Sequence, residues 1–158
     1  MGGKFVTNVS CTISGVLLTS LKVIDVPGGN VLHGMKCSDQ GYSGFGEAYF
    51  SVVEPGMVKA WKRHRKMTLN LIVPIGAVRF VIYDDHQNSA SYGKYQEVVL
   101  SRANNYSRLT VPPMVWIGFQ GVSENTSMLI NIADIEHVPE EADRKEMNGI
   151  KYDWELSK

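Results

Sequence analysis

Short β-type runs separated by turn residues are the feature that most restricts the fold of this chain. Asn, Ser, Gly and Pro lie between the runs, and hardly any stretch shows the 3.6-residue apolar repeat of a helix. Runs of this kind, about 8 to 15 residues apart, are typical of an all-β sandwich or barrel. The runs cover residues 16–26, 47–53, 67–73, 78–83, 97–100, 108–111, 115–119 and 127–132.

The length of the chain favours one domain. A chain of 158 residues falls within the usual range of a single domain and can bury about two thirds of its unfolded surface. We therefore predict one all-β domain of the jelly-roll type over residues 1–158. Residues 1–14 form either an arm exchanged with another subunit or a frayed terminus, and Pro139–Met147 forms a short helical or irregular tail.

A concentrated basic run is the main functional clue. Residues 59–66 read KAWKRHRK, which places five cations and one imidazole within eight positions of a chain whose net charge is zero. Such a run is either a solvated strand face or the lining of a cavity that receives an anion such as a diphosphate. On an extended strand, Lys62 and His64 point to one face, and Trp61, Arg63 and Arg65 point to the other. Neutral net charge and confinement to one strand argue against nucleic acid as the partner.

The remaining composition bears on location. No apolar stretch reaches the roughly 20 residues that a membrane span needs, and the apolar patch at residues 15–18 is too short for a signal peptide. We therefore expect a cytoplasmic protein that makes no contact with a membrane. Thiols stay reduced in that compartment, so Cys11 and Cys37 are interpreted as small apolar fillers without a disulfide or metal role.

Several short motifs follow one another in a recognisable order. Together they resemble the dTDP-4-dehydrorhamnose 3,5-epimerase family of cupins, from about residue 39 to residue 154. The resemblance implies a jelly-roll homodimer in which each barrel mouth binds a nucleotide-diphospho-4-keto sugar and a proton is abstracted next to the ketone. The motifs are Gly44–Glu47, the basic strand, the hairpin that ends at Asp84, Ser89–Lys94, Val111–Phe119 and the closing segment from Pro139 to Asp153.

The chain departs from the family pattern at its catalytic positions. The motif Arg-Gly-x-His, whose Arg faces the diphosphate and whose His is the base, matches Lys59–Lys62, so Lys62 takes the place of the base. The enolate-stabilising Lys of the family falls on Asn70, and the proton-returning Tyr falls near Ile130. The resemblance therefore implies an epimerase with a non-standard base.

The candidate catalytic residues are Lys62, His64 and Asp84. A lysine that is desolvated beside other cations can lose its proton and act as a base, but it can equally stay charged and hold phosphate. Asp84 matches a family carboxylate, and its alternative interpretation is a turn residue that accepts backbone N–H bonds.

The candidate substrate-binding residues are Glu47, Lys59, Arg63, Asn70 and Trp116. Glu47 matches the nucleotide-binding Glu of the family, and its alternative is a solvated strand residue. The His-x-His position of metal-binding cupins reads Lys62–Arg63–His64 here, and one imidazole among cations does not hold a divalent ion. We therefore expect no metal and no other cofactor.

Two functions remain in competition. The favoured one is a nucleotide-diphospho-4-keto-sugar epimerase, because Lys62 and His64 supply groups for which a pure binding protein has no evident need. The alternative is a non-catalytic cupin that binds a nucleotide sugar and has lost the proton-transfer residues.

Overall fold

The computed structural model describes residues 11–155, and these form β-strands with two short 3₁₀ turns. The turns cover Pro139–Glu141 and Met147–Gly149. No helix among the described residues is long and apolar enough to cross a membrane. The strands are β1 Leu17–Ser20, β2 Val23–Ile24, β3 Val31–Leu32, β4 Glu47–Val53, β5 Val58–His64, β6 Leu69–Ile75, β7 Ala77–Tyr83, β8 Tyr95–Ser101, β9 Ser107–Val111, β10 Trp116–Gly121, β11 Ser127–Ala133 and β12 Ala142–Arg144.

Two antiparallel sheets make up the architecture. The first sheet has the strand order β1-β9-β6-β11-β4, the second has the order β12-β5-β10-β7-β8, and β2 and β3 form a small separate ribbon. Non-consecutive strands are neighbours in both sheets, as in a jelly roll. The all-β jelly-roll prediction is therefore confirmed.

The main core lies between the inner faces of the two sheets. Val73, Leu109 and Leu129 of the first sheet and Phe80 and Leu100 of the second are almost completely buried there. Each such side chain stabilises the fold by about 1.5 to 3 kcal/mol through removal of apolar surface from water. Buried residues alternate with more exposed ones along β8 and β11, as a half-buried strand requires, whereas β6, β7 and β9 are buried on both faces over most of their length.

Gly76 forms the turn between β6 and β7 that the sequence predicted, but the two strands belong to different sheets, so the hairpin expected there is wrong and the turn connects the two layers. Its φ is +77°, and a Cβ at this position would lie 2.8 Å from the Cα of Ser127. The Ser127 hydroxyl donates to the carbonyl of Ala77 and accepts from its amide, both at 3.1 Å. Only glycine therefore fits the turn without moving β11.

The C-terminal tail differs from a helix in its central part. Ala142–Arg144 forms β12, which pairs with β5 so that Ala142 lies opposite His64 and Arg144 lies opposite Lys62. Pairing in this way satisfies the outer backbone groups of β5, which would otherwise be an open sheet edge. Of the predicted N-terminal arm, residues 1–10 lie outside the described residues, whereas Ile13 is buried and its amide donates to the Gln96 side chain.

Candidate active site

A cavity of about 710 Å³ lies between the two sheets. Strand β5 contributes Lys59, Lys62 and His64 to its wall, and β4 and β11 contribute polar side chains from the opposite sheet. Leu71 and Ile117 belong to the apolar part of the lining. The cavity therefore combines an apolar interior with a few polar groups, as ligand sites usually do.

The orientation of β5 follows from strand alternation and one irregularity. Lys62 and His64 face the cavity, whereas Trp61 packs against Trp154 on the other side of the sheet. The register with β10 shifts, because Ile117 pairs with Lys62 but Phe119 pairs with Lys59. The extra residue in β5 is a bulge. It brings Lys59 onto the same face as Lys62 and His64.

His64 is paired with a carboxylate that the sequence did not reveal. Its Nδ1 lies 2.6 Å from Oε2 of Glu141, and the imidazole is only 4% exposed. The other carboxylate oxygen of Glu141 accepts the amides of Lys66 at 2.7 Å and Met67 at 2.9 Å. Because an ionised carboxylate only accepts hydrogen bonds, Nδ1 is the donor of the pair. Nε2 makes no hydrogen bond with residues 11–155 and is the imidazole nitrogen left for a ligand.

The protonation states follow from these contacts. Burial raises the pKa of Glu141, but hydrogen bonds from His64 and from the amides of Lys66 and Met67 outweigh it and hold that pKa at about 2. Burial lowers the pKa of His64, the hydrogen bond to Glu141 offsets only part of that effect, and the charge of Lys62 lowers it further. His64 is therefore neutral at pH 7 and has a lone pair on Nε2, which suits a general base.

Three cations line the cavity together with this histidine. Burial lowers the pKa of Lys62, and the neighbouring charge of Arg144 acts in the same direction. Within residues 11–155, neither Lys62 nor Arg144 forms an ion pair with a carboxylate. Lys59 donates from Nζ to the carbonyl of Val52 at 2.8 Å, across the gap between the sheets. These cations can meet an anion that enters the cavity.

The opposite wall carries Tyr49 of β4 and Asn131 of β11. Nδ2 of Asn131 donates to the hydroxyl oxygen of Tyr49 at 3.1 Å, and Oδ1 of Asn131 accepts the backbone amide of Asn70 at 3.1 Å. Neither residue was among those that the sequence pattern marked as site residues. An inward-facing tyrosine in the alternating run 47–53 was the one available signal.

Arg63 and Trp116 lie on the outer side of the second sheet, not in the cavity. Arg63 donates to Asp143 from Nε at 3.1 Å and from an Nη at 2.9 Å, and its second Nη donates to Asp85 at 3.1 Å. Its guanidinium lies 4.7 Å from the ring centre of Trp116, whose Nε1 also donates to Asp85. Each lies on the outward phase of its strand, which argues against the expectation that these two residues bind substrate.

Asp84 and Asn70 are also outside the cavity lining. The Asp84 carboxylate accepts the Ser91 hydroxyl at 2.6 Å and the His86 amide at 3.0 Å, so its turn interpretation is the one that fits. The Asn70 side chain donates to the carbonyl of Gly41 and accepts the Thr110 hydroxyl. These contacts argue against the catalytic expectation for Asp84 and the substrate-binding expectation for the Asn70 side chain.

Glu47 acts electrostatically on Lys62 but is not part of the cavity lining. It lies on the same face of β4 as Tyr49, and its negative charge raises the pKa of Lys62. It does not belong to the cavity lining, and its Oε1 is buried without a hydrogen-bond partner among the described residues. Its role in nucleotide binding stays a prediction.

The two sheets define a cupin-type jelly roll. Its cavity holds a buried histidine–carboxylate pair and several cations, which suit proton transfer on an anionic ligand. No protein-family model matches the chain. Known proteins do resemble it. The probable low-salt glycan biosynthesis epimerase Agl13 of Haloferax volcanii is 31% identical over 112 residues, which cover 68% of this chain and 71% of that protein.

Solved structures show the same relationship. A dTDP sugar isomerase from Desulfovibrio desulfuricans has a TM-score of 0.88 and 38% identity, covering 90% of this chain and 92% of its own. A dTDP-4-dehydrorhamnose 3,5-epimerase from Elizabethkingia anophelis has a TM-score of 0.76 at 18% identity, covering 94% and 86%, and supports the fold alone. The chain belongs to the dTDP-4-dehydrorhamnose 3,5-epimerase-like family of nucleotide-sugar epimerases.

Proposed function

We propose that this protein epimerises a nucleotide-diphospho-4-keto sugar, with His64 as the base that removes the proton next to the ketone. The observation that carries the proposal is the His64–Glu141 pair, with a bond of 2.6 Å at Nδ1, on a histidine that lines the cavity. A buried carboxylate that holds Nδ1–H fixes the tautomer, and it also stabilises the imidazolium that forms when Nε2 takes the proton.

Lys62 is proposed as the cation that stabilises the enolate oxygen rather than as the base. It faces the cavity two residues before His64, and it has no ion-pair partner among the described residues. Proton abstraction next to a ketone moves negative charge onto the ketone oxygen, and a preorganised cation there lowers the barrier. The non-standard feature of the site is then the lysine, which comes from the same strand as the base.

The diphosphate is proposed to bind Lys59 and Arg144. Both line the cavity, and Arg144 lies opposite Lys62 on β12. Charge-assisted contacts to phosphate are worth about 1.5 to 3 kcal/mol each. The similarity to a dTDP sugar isomerase makes a dTDP-4-keto sugar the first substrate to test.

Deuterium exchange tests the proposal. The protein is incubated with a dTDP-4-keto sugar in deuterated water, and deuterium at the carbons next to the ketone is followed by NMR. The wild type is expected to incorporate deuterium, and His64→Asn is expected to lower the rate by about a hundredfold to ten-thousandfold. His86→Asn, on an exposed histidine outside the cavity, is the matched control.

Two outcomes would contradict this function. Wild-type protein that binds the sugar nucleotide without exchange above the no-protein background would establish the non-catalytic binding alternative. Exchange at the wild-type rate in His64→Asn would remove His64 from the role of base.

A homodimer and a cytoplasmic location, both expected from the sequence, are proposed as well. The dimer is supported by an apolar stripe on the outer face of the first sheet, where Phe50 is 63% exposed and Val52 is 47% exposed. Met128 and Ile130 lie beside them across the β4–β11 pair. Phe50→Asp is expected to shift the sedimentation coefficient from dimer to monomer. A wild-type monomer at micromolar concentration would contradict the dimer.

A further inference from the structure

Tyr49 differs from other tyrosines of the chain in how its hydroxyl is used. The hydroxyls of Tyr95 and Tyr106 donate to backbone carbonyls at 2.7 and 2.8 Å, and that of Tyr152 donates to Glu97. The hydroxyl oxygen of Tyr49 instead accepts from Asn131, and its proton has no acceptor within residues 11–155. Tyr49 therefore presents an unused O–H in the cavity.

The direction of the Tyr49–Asn131 hydrogen bond is fixed by the backbone. Asn131 is 1% exposed, and its Oδ1 already accepts the amide of Asn70 at 3.1 Å. Its Nδ2 must then be the atom that faces Tyr49, because reversing the side-chain amide would place two N–H donors against each other. The donated N–H would also stabilise the negative charge left on the Tyr49 oxygen after loss of its proton.

Tyr49 and His64 stand on opposite walls of the same cavity. Tyr49 belongs to β4 of the first sheet, and His64 belongs to β5 of the second sheet. A sugar ring held between the sheets would have one group on each of its faces. Inversion of a carbon needs this arrangement, because the proton must leave one face and return on the other.

We propose that Tyr49 is the acid that returns the proton on the face opposite His64, and that Asn131 positions it. This inference rests on the proposed epimerase function. It assigns the acid to β4, whereas the sequence resemblance placed that role near Ile130 of β11. Ile130 lies on the outer face of the first sheet, opposite Phe50, and cannot supply a proton to the cavity.

The proposed steps balance without a cofactor. Nε2 of His64 takes the proton of the carbon next to the ketone, and the electrons of the broken C–H bond form the enolate. Tyr49 then gives its hydroxyl proton to the other face of that carbon, where a new C–H bond forms, and the electron pair of the O–H bond stays on the tyrosine oxygen. The imidazolium releases its proton to water, and the tyrosine oxygen takes one from water.

The test separates removal of the proton from its return. Tyr49→Phe is compared with wild type and with Tyr92→Phe, which alters an exposed tyrosine outside the cavity. Deuterium exchange at the carbon next to the ketone reports the base, and the appearance of the epimer by NMR reports the acid. Affinity for dTDP and the melting temperature are measured for each protein.

Tyr49→Phe is expected to lower epimer formation by about a hundredfold or more, while exchange falls less than tenfold, because His64 still removes and returns the proton on one face. Tyr92→Phe is expected to behave as wild type.

Three outcomes would overturn the inference: epimer formation by Tyr49→Phe at the wild-type rate, equal loss of exchange and epimer formation, or loss of dTDP affinity that accounts for the defect. A wild type without any exchange would instead sink the epimerase function itself, so the two failures are distinguishable.

Discussion

The two faces of β5 carry the same kinds of charged residue but have opposite surroundings. On the outer face, Asp143 accepts hydrogen bonds from both Arg63 and Arg65. On the cavity face, Lys62 has no carboxylate partner among the described residues, and Glu141 holds His64 by one nitrogen only. The role of each cation in the run therefore depends on whether the fold places a carboxylate next to it. The paired face is structural, and the unpaired face is free to meet a ligand.

The largest expected effect comes from replacing Glu141, the carboxylate that pairs with His64. Glu141→Gln keeps the size of the side chain but removes the charge that stabilises the imidazolium, so deuterium exchange is expected to fall by about a hundredfold. Glu140→Gln, on the exposed neighbouring residue, should exchange at the wild-type rate. If the two variants exchange equally fast, the pairing of His64 has no catalytic meaning.

A somewhat smaller effect is expected from replacing Lys62, which has no ion-pair partner among the described residues. Lys62→Met should weaken binding of a dTDP-4-keto sugar by about tenfold to a hundredfold, because the charge-assisted contact of Lys62 with the ketone oxygen is lost. Lys66→Met makes the same chemical change on an exposed residue outside the cavity lining and should leave affinity unchanged. Titration calorimetry measures both. Equal affinities of the two variants would mean that Lys62 contributes no more to binding than Lys66, and would contradict the role assigned to the cavity face of β5.

The outer face should respond in stability rather than in binding. Arg63→Ala removes hydrogen bonds to Asp143 and Asp85 and the contact with the Trp116 ring, but both carboxylates keep another partner in Arg65 or Trp116. We expect the free energy of unfolding to fall by about 1 to 2 kcal/mol, measured by urea titration. Affinity for the sugar nucleotide should not change. A large loss of affinity would place Arg63 in the site after all.

The smallest expected effect is on pH dependence, and its sign differs between two variants. In a plot of exchange rate against pH, the acidic limb is expected to follow protonation of His64, whose pKa is lowered mainly by burial. Wild-type activity should therefore persist below the pH at which an ordinary histidine is protonated. Glu141 raises the pKa of His64, and Lys62 lowers it. Glu141→Gln should therefore move the limb to lower pH, and Lys62→Met should move it to higher pH. Shifts in the same direction would contradict the assignment.

Much of the fold could be predicted from the chain because its determinants are local. Alternating apolar residues and turn residues gave the major strands, and the period of two placed Lys62 and His64 on one face. The same local reasoning left Pro139–Met147 as either helical or irregular and did not predict the strand at its centre. Its charges resemble those of a helix, but an unpaired strand edge nearby makes a β-strand the better solution.

The site was less predictable because its contacts join distant residues. Glu141 is 77 positions from His64, and Asn131 is 82 positions from Tyr49, so no sequence spacing connects them. Asp84 and Trp116 matched family motifs, but their polar atoms are taken by neighbours outside the cavity. Motif order identified the family, whereas the assignment of roles needed the facing walls of the two sheets.

The bulge in β5 has a consequence for how this segment tolerates changes in length. Val58, Ala60 and Trp61 pack in the outer hydrophobic cluster, although Ala60 and Trp61 also border the cavity, and Lys59, Lys62 and His64 line the cavity. The bulge therefore sets the phase of the strand. Deleting one residue between Lys59 and Lys62 would turn Lys59 outward and Val58 inward, without altering any charge. Alignment with relatives by fixed spacing would miss such an insertion. The layout of the cavity wall thus depends on a count of residues as much as on their identity.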